Sequence, residues 1–421
     1  ENLDWGQVSK IEVNAPELPG IVIDVGQSRE YPYSDHVAHI LGYVAAVSEQ
    51  DQTGDPLLEL PGFRIGKSGV ERIHDLKLRG KAGNSQLEVN ALGRVIRELA
   101  RQEGQPGDDI GLTVDLQLQN FAMEKLRDKR SAAAVVMDVN SGAVLALASM
   151  PGYDPNAFNI GLSRAEWQSI VQDPHKPLTN KAIAGNYSPG STFKMMVAMA
   201  ALEKGVISPD TRVFCRGHTR LGNAKFHCWK KHGHGWMDMN SAIQQSCDVY
   251  FYEISKRAGI DNIASMARRF GLGDTTGIDL PGEKSGLIPT AAWKKKAIGV
   301  PWQGGETLVA GIGQGFVLTT PLQLAVMTAR LATGKAIKPH LVRSVISGGV
   351  AQAVEFAEAK PLKVSREALK IVVAGMDAVT NSDRGTARRA RIKEKGLEMA
   401  GKTGTAQVRR ISKYERDTRV L

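Results

Sequence analysis

The sequence contains no long apolar run, no internal repeat of fixed period and no low-complexity tract. Its longest apolar stretches, at residues 132–137 and 143–148, are far shorter than the roughly 20 residues that a membrane-spanning helix needs. The chain starts at Glu1 and shows no signal peptide. We therefore expect the excised soluble part of a protein from which an N-terminal membrane anchor has been removed.

Cysteine is also scarce, and no dense basic pattern is present. The 421 residues include three cysteines, all between positions 215 and 247, so a disulfide framework is not expected. The formal net charge is +10, but the basic residues are scattered without an Arg-rich helix or an aromatic-basic ladder, which argues against nucleic-acid binding. The composition is that of a globular protein, and the length allows two or three domains.

A polar break at residues 102–109 is the best candidate for a domain boundary. Before it, apolar clusters at 21–23 and 37–44 alternate with Pro, Gly and Asp turns, and a short helical stretch runs from Gly66 to Gly80. We interpret residues 1–110 as a strand-rich N-terminal domain and residues 111–421 as a second domain.

The second domain mixes helical and strand patterns. Asp115 is a plausible N-cap for a helix, and residues 133–139 and 143–149 predict a hairpin around a turn at 140–142. Further patterns predict helices over residues 192–204, 241–245, 249–258 and 321–333, and a late strand over 397–408. This order favours an α+β fold in which helices pack on an antiparallel sheet.

The segment YSPGSTFK at residues 187–194 contains a candidate nucleophile, Ser191. A Pro-Gly pair ends a loop, and the apolar residues that follow predict a buried helix that stops at Gly205. Ser191 would then lie at the helix start, where free backbone N–H groups can stabilise an oxyanion. Lys194 lies about one turn further along the same face. A desolvated lysine beside other cations loses its proton more readily, so its neutral amine could activate the serine.

Two further motifs could complete such a site. Ser246-Cys247-Asp248 offers a second hydroxyl, at Ser246, that could relay a proton from the lysine to a leaving amine. On the predicted late strand, Lys402 adds positive charge, and Thr403 or Thr405 can hold a substrate carboxylate. Gly404 leaves room for a peptide beside the strand, and the Thr405 N–H is a candidate second oxyanion donor.

Each motif also has a purely structural interpretation. Ser191 could cap a helix beside an unrelated lysine, Asp248 could be the N-cap of a helix over residues 249–256, and Lys402 could be a solvated strand lysine. A Ser-x-x-Lys motif alone is weak evidence. The three motifs in this order are far more specific, because they form the set known from penicillin-binding proteins and class A β-lactamases.

Other segments extend the comparison over nearly the whole chain. They are YPY at 31–33, HILGY at 39–43, GKSGVE at 66–71, LRG at 78–80, SMPGYDPN at 149–156, TGIDLP at 276–281 and GIGQG at 311–315. With these segments, the chain resembles the class B penicillin-binding proteins, and most closely their elongation-specific branch. Asp248 stands where most of the wider family has Asn, and the elongation-specific branch resembles this sequence in having Asp at that position. The resemblance implies a penicillin-binding/β-lactamase-like transpeptidase domain on a non-catalytic, partner-binding pedestal, residues 1–110.

The resemblance also implies an activity, a location and partners. The protein would be a peptidoglycan D,D-transpeptidase of cell elongation, anchored by an N-terminal helix at the periplasmic face of the bacterial inner membrane. Ser191 would attack the D-Ala–D-Ala bond of a donor stem peptide, an amine of a neighbouring stem peptide would resolve the acyl-enzyme, and β-lactams would acylate the same serine. The pedestal would contact a rod-shape scaffold protein and a membrane glycosyltransferase. The chain ends 16 residues after Thr405, where relatives continue into further strands and a helix, so we expect either a truncated chain or a sequence limited to the ordered residues.

The cysteines and the histidines around them predict a structural zinc site. Zinc prefers tetrahedral sites of thiolate and imidazole ligands, and the predicted ligands are Cys215, Cys228, His234 and Cys247. The resemblance supports this choice, since elongation-type relatives have a metal-binding insertion here. His227 and His232 remain alternative ligands, and paired or free thiols remain alternatives to zinc. Because Cys247 lies inside the second motif, a bound metal would brace that motif, whereas the chemistry itself needs no cofactor.

Other functions remain open at this point. A β-lactamase or a β-lactam sensor would share the three motifs, although a hydrolase needs a positioned water and base, and no such base is identifiable. A non-catalytic cell-wall assembly factor is disfavoured by the intact Ser191, Lys194 and Lys402. A zinc hydrolase is least favoured, because three thiolates leave the metal little Lewis acidity and no open position.

Overall fold

The computed structural model describes residues 3–18, 21, 23, 28–60, 62–91 and 95–407. The elements of its N-terminal part are α1 (Trp5–Val13), α2 (Ala38–Leu41), β1 (Val44–Ala46), β2 (Arg64–Gly66), α3 (Gly69–Ile73), α4 (Asp75–Leu78), β3 (Asn84–Val89) and β4 (Val95–Gln102). Strands β1 and β2 pair in antiparallel fashion, as do β3 and β4. Helices α3 and α4 confirm the short helical stretch predicted between residues 66 and 80.

The apolar cluster at residues 37–44 forms α2 and reaches a strand only at Val44, although we expected it among the strands of this region. The helix ends at Gly42, whose φ is +79°. A Cβ there would lie 1.9 Å from the Ser68 carbonyl oxygen, so only glycine lets the chain approach the start of α3 this closely. The other predicted cluster, at 21–23, includes Val22, which lies outside the described residues.

The C-terminal part has an antiparallel sheet with helices packed on it, which confirms the α+β prediction. Its elements are β5 (Asp109–Leu112), α5 (Leu116–Leu126), β6 (Ala132–Met137), β7 (Val144–Met150), α6 (Pro155–Ile160), α7 (Arg164–Gln172), α8 (Lys181–Ala184), α9 (Lys194–Glu203), β8 (Val213–Cys215), β9 (His218–Leu221), β10 (Ala224–His227), β11 (Gly235–Met237), α10 (Met239–Gln244), α11 (Asp248–Ala258), α12 (Ile260–Arg269), α13 (Ala291–Ile298), α14 (Gly304–Ala310), α15 (Pro321–Thr333), β12 (Val342–Ser347), β13 (Val350–Ala353) and α16 (Arg366–Asn381).

Strand β12 pairs with both β5 and β13, and β6 pairs with β7 in the predicted hairpin. The hairpin forms a separate two-stranded sheet beside β12, to which it is linked by the Val144 N–H, which donates to the His340 carbonyl at 2.9 Å. Helix α5 packs on β7, while α8 and α15 pack on β6. The side chain of Asp115 accepts a hydrogen bond from the Leu118 N–H at 2.9 Å and so caps α5, as predicted.

Helices α10, α11 and α15 confirm three of the predicted helices, but the predicted late strand is wrong for the described residues 397–407, which form no strand. A strand needs a ladder of backbone hydrogen bonds to a neighbour. Here the Gly401 N–H instead donates to the Met376 carbonyl of α16, and the backbone of Thr405 and Gln407 bonds to the side chain of Gln314. Residue 408 lies outside the described residues.

Helix α9 is buried around its whole circumference over most of its length, since each residue from Lys194 to Ala201 is buried. Helices α10, α11, α12 and α16 pack around it. A helix that is apolar on all sides belongs in a protein interior. This central position holds the segment before α9, which includes Ser191, on a rigid support.

A second apolar core joins the N-terminal part to the sheet. Ile40 and Val70 pack in one cluster with Val144, Leu147 and Leu341. Residues on both sides of the predicted boundary therefore share a core, and the division at residue 110 stays a prediction. In the ranges that the structure describes, no helix has the length and apolar character to cross a membrane.

Candidate active site

Ser191 lies in a tight turn that leads into α9. A 3-10 helix, Gly190–Phe193, precedes α9, so the predicted helix begins in a tighter form. Gly190 has a φ of +57°, and its N–H donates to the Gly313 carbonyl at 2.9 Å. A Cβ on Gly313 would lie 2.1 Å from the Gly190 carbonyl oxygen, so both glycines are required where these two segments meet. The position of Ser191 is therefore set by backbone contacts.

Lys194 follows one turn later and is completely buried. Its Nζ donates to Asp248 Oδ1 at 2.7 Å, to the Ser246 carbonyl at 3.0 Å and to Ser246 Oγ at 3.2 Å. These partners engage all the protons of an ammonium group. The Ser191 hydroxyl, in contrast, makes no hydrogen bond to any residue that the structure describes. Lys194 is therefore held by Ser246 and Asp248 of the second motif.

Ser246 lies between the two lysines of the predicted site. Its Oγ is 2.9 Å from Lys402 Nζ as well as 3.2 Å from Lys194 Nζ. The residue has a φ of +53°, in the left-handed region that costs a non-glycine residue about 1–2 kcal/mol. This conformation joins α10 to α11 and directs the hydroxyl between both amines, so backbone strain accompanies a functional placement.

The segment 402–405 lies against the turn before Ser191. A Cβ on Gly404 would lie 3.0 Å from the Pro189 carbonyl oxygen, and one on Gly190 would lie 2.5 Å from the Thr405 carbonyl oxygen. Thr403 Oγ1 is 2.8 Å from Thr386 Oγ1. The third motif is thus in contact with the first, although it does not form the predicted strand.

The pKa of Lys402 lies well below the ordinary lysine value. Burial and the positive charge of Lys194 together lower the pKa of Lys402 to about 7, against the opposing effect of the Asp248 carboxylate. A fraction of the Lys402 side chains is therefore uncharged at neutral pH. A neutral amine 2.9 Å from Ser246 Oγ can accept a proton from that hydroxyl.

The structural interpretation of Asp248 as the N-cap of α11 is wrong. Cys247 occupies the cap position, and Asp248 is the first residue of the helix. Its Oδ1 pairs with Lys194, and its Oδ2 accepts the backbone N–H of Trp229 at 2.9 Å. A buried lysine needs a counter-charge. Because the Asp248 carboxylate pairs with Lys194, it does not cap the helix.

Sequence reasoning missed several residues that hold the site together. Trp229 donates its Nε1–H to the Ser246 carbonyl at 3.1 Å, in addition to its backbone contact with Asp248. Gln314 donates to the Thr405 carbonyl at 3.2 Å, and Thr386 contacts Thr403. The GIGQG segment was visible in the sequence without a role, and Trp229 directly follows a predicted zinc ligand.

The four predicted zinc ligands come together in one cluster, with their ligand atoms within 4.8 Å of one another. His234 Nδ1 is 3.6 Å from Cys215 Sγ and 3.5 Å from Cys228 Sγ. The three thiols are free and buried, so they are not paired as disulfides. His234 Nε2 is buried without a hydrogen-bond partner among the described residues. The alternative ligands His227 and His232 are not members of this cluster.

Two family profiles match the chain: the penicillin binding protein transpeptidase domain over residues 132–419, and the penicillin-binding protein dimerisation domain over residues 1–112. The peptidoglycan D,D-transpeptidase MrdA of Escherichia coli is 37% identical over 416 residues. The match covers 97% of this chain but 65% of that relative, so the chain spans less than two thirds of its length.

Solved structures agree with these matches. The complex between penicillin-binding protein PBP2 and MreC from Helicobacter pylori has a TM-score of 0.86 and 33% identity, and the match covers 97% of this chain and 75% of that one. PBP2 of Pseudomonas aeruginosa in complex with WCK 5153 has a TM-score of 0.79 and 36% identity, with coverage of 92% and 82%.

Proposed function

Since this chain belongs to the penicillin-binding protein transpeptidase family, we propose that it is a peptidoglycan D,D-transpeptidase that cross-links stem peptides through Ser191 during cell elongation. One observation carries the proposal: Ser246 Oγ lies within hydrogen-bond distance of both Lys194 Nζ and Lys402 Nζ, next to the turn that presents Ser191. This geometry connects a free hydroxyl, a buried lysine and a proton relay in one site.

The acylation step follows from these contacts. Ser191 Oγ forms a bond to the carbonyl carbon of the penultimate D-Ala, and the C–N bond to the terminal D-Ala breaks. Lys194 first releases a proton through Ser246 Oγ to the partly neutral Lys402, and its free amine then takes the Ser191 proton. Ser246 then passes a proton to the departing amine and is reprotonated by Lys402, so that charge and protons balance. The amine of a neighbouring stem peptide then attacks the ester.

The substrate contacts are assigned to the backbone and to the third motif. The N–H groups of Ser191 and Thr405 supply an oxyanion hole, because Thr405 packs against Gly190 immediately before the nucleophile. Thr403 and Thr405 hold the terminal carboxylate, with Thr386 at hydrogen-bond distance from Thr403. β-Lactams acylate the same serine as substrate mimics.

The activity is tested with a donor stem peptide that ends in D-Ala–D-Ala and an acceptor amine. We expect one D-Ala released for each cross-link formed, and little release when the acceptor is omitted, because the acyl-enzyme awaits an amine. High-performance chromatography of the products measures both. Equal D-Ala release without the acceptor, or rapid turnover of a labelled penicillin, would instead indicate a hydrolase of the β-lactamase type.

We also infer that Cys215, Cys228, His234 and Cys247 hold a structural zinc ion. In a tetrahedron with Zn–S of about 2.3 Å and Zn–N of about 2.0–2.1 Å, the S···N edge is about 3.5 Å. The observed separations of 3.5 and 3.6 Å fit this edge. Contacts with Cys228 and Cys247 lower the pKa of the Cys215 thiol, whereas the contacts of Cys247 with Cys215 and Cys228 raise the pKa of Cys247, so in the metal-free cluster the thiols share their protons. Zinc would supply a rigid link beside Asp248.

Metal analysis of the purified protein should find about one zinc per chain. The substitution His234→Ala should release the metal and lower the melting temperature, because it opens a closed four-ligand site. His232→Ala is the matched control, since His232 is exposed and lies outside the cluster, and it should keep the metal. A metal-free protein with the melting temperature of the zinc-treated one would contradict the site.

We further propose the periplasmic face of the bacterial inner membrane as the location, and residues 1–110 as a pedestal for partners. The resemblance to elongation enzymes supports a membrane glycosyltransferase as one partner. The relative solved in complex with MreC supports a rod-shape scaffold protein as the other.

A further inference from the structure

An open groove of about 620 Å³ lies beside helix α11, on the segment that also carries the zinc ligand Cys215. Strands β8 and β9 with their connecting turn form one wall, and α11 forms the other. Arg212, Arg216, Arg220 and Arg257 line it, and we call it the arginine groove. Three of the four arginines lie within nine residues of one another in the sequence, and the fold places Arg257 of α11 beside them.

The arginine groove has an excess of unpaired positive charge. Glu253 pairs with Arg257, whose Nε lies 3.0 Å from Glu253 Oε1. Among the described residues, Arg212, Arg216 and Arg220 form no ion pair, and all three are exposed. Cations held together without counter-charges attract an anionic ligand, and the groove offers no second carboxylate of its own to compete.

The arginine groove begins close to the catalytic residues. Val249, Glu253 and Arg257 line it at intervals of four residues, so they share one face of α11. This helix starts at Asp248, the partner of Lys194. Eight residues of helix span about 12 Å. The groove therefore runs about 12 Å along α11, away from the end that carries the catalytic carboxylate.

An exposed aromatic pair adds an apolar surface to the same place. Phe214 lines the groove, is 47% exposed and meets Trp236 edge to face at 5.4 Å between ring centroids. Trp236 is 64% exposed. Aromatic faces beside guanidinium groups suit a ligand with both apolar faces and carboxylates, such as sugar rings that carry acidic peptides.

We propose that the arginine groove is a second substrate subsite. It binds stem-peptide carboxylates of a peptidoglycan strand while a neighbouring stem peptide of the same strand lies at Ser191. The inference rests on the proposed function, because that function makes the substrate a strand with a free carboxylate at the end of each uncross-linked stem peptide. The planar guanidinium groups donate paired hydrogen bonds to such carboxylates in bidentate geometry. Binding there holds the strand in register with the catalytic site and raises the local concentration of reactive peptides.

The test measures binding of fluorescently labelled, soluble, uncross-linked peptidoglycan strands to the full chain by anisotropy. The triple variant R212Q/R216Q/R220Q should bind these strands at least about tenfold more weakly. The variant R127Q/R164Q/R343Q removes the same charge from other exposed arginines and should stay within about twofold of the unsubstituted chain. Strands whose carboxylates are converted to amides should bind the unsubstituted chain as weakly as intact strands bind the triple variant.

Two more variants separate charge from folding. E253Q frees Arg257 from its partner and should tighten strand binding about twofold to threefold. The single variant R216Q should weaken it about threefold, and it serves as the test if the triple variant does not keep the melting temperature of the unsubstituted chain. Equal weakening in both triple variants, or unchanged binding in R216Q and E253Q, would overturn the subsite.

Other occupants are also outcomes of the test. Vesicles with phosphatidylglycerol that bind more tightly than strands, with the same dependence on the three arginines, would assign the groove to lipid headgroups and overturn the proposal. Penicillin labelling of Ser191 in the unsubstituted chain is measured in parallel. Absence of labelling would count against the proposed function. Normal labelling together with strand binding that does not depend on the arginines would instead contradict the subsite alone.

Discussion

The substitution Ser191→Ala should abolish covalent labelling of the chain by a penicillin. Gly190, which precedes Ser191 in the turn, packs against Thr405, and alanine at position 191 has no hydroxyl that can attack the lactam carbonyl. Loss of the nucleophile of a coupled catalytic unit typically lowers the rate by at least about 10³-fold. Mass spectrometry of the intact protein should show the adduct in the unsubstituted chain and no adduct in the variant.

Ser188→Ala provides the matched control, because Ser188 lies in the same loop, three residues before the nucleophile. This variant should be labelled at close to the normal rate. Peptide mapping of the labelled chain should place the adduct on Ser191. An undiminished adduct in Ser191→Ala would show that the catalytic assignment is wrong.

The substitution Lys194→Met should slow acylation by about 10²–10⁴-fold, the range typical of general acid–base catalysis. Methionine fills a similar volume in the buried position but cannot accept the Ser191 proton. The variant also leaves Asp248 without its buried partner, so we expect a lower melting temperature as well. Lys204→Met, just beyond the C-terminal end of α9, is the matched control and should keep the normal acylation rate.

The same variant should change the titration of Lys402, which separates an electrostatic role from a structural one. Lys194 lowers the pKa of Lys402, so its removal should raise that pKa above about 7, while burial still keeps it below the ordinary lysine value. Only the deprotonated amine reacts with acylating reagents, so reactivity of Lys402 rises with pH through this pKa. Competitive labelling followed by peptide mass spectrometry should show the midpoint at higher pH in Lys194→Met.

The expected direction reverses for Asp248→Asn. The carboxylate raises the pKa of Lys402, so its neutralisation should move the midpoint to lower pH. An unchanged midpoint in both variants, together with a normal acylation rate in Lys194→Met, would mean that the two lysines do not form one proton-transfer system.

Local features of the fold could be predicted because they depend on neighbours in the sequence. The cap at Asp115, the hairpin of β6 and β7 and the helices α10, α11 and α15 follow from residue periodicity and turn residues. The strand at 397–408 could not be judged in the same way. A strand forms only where a partner strand is present, and residues 397–407 bond to α16 and to Gln314 instead.

The candidate site shows the same division. The sequence predicted the residue types and order of the three motifs and the four ligands of the proposed zinc site. The fold brings the residues of each set together. The contacts of Trp229 with Asp248 and Ser246 could not be chosen, because they join residues 17 and 19 positions apart through a turn whose path the sequence does not reveal.

The sequence by itself determined which chemical groups this protein can use, since a serine, two lysines and three thiols in a fixed order predict a nucleophile, a base and metal ligands. Only the tertiary structure decided their protonation and alignment. Lys194 is paired with Asp248, Lys402 has its pKa lowered to about 7, and Ser246 connects both amines. Protonation depends on burial and on distances of a few ångströms between charges, and these arise only when segments more than 50 residues apart pack together.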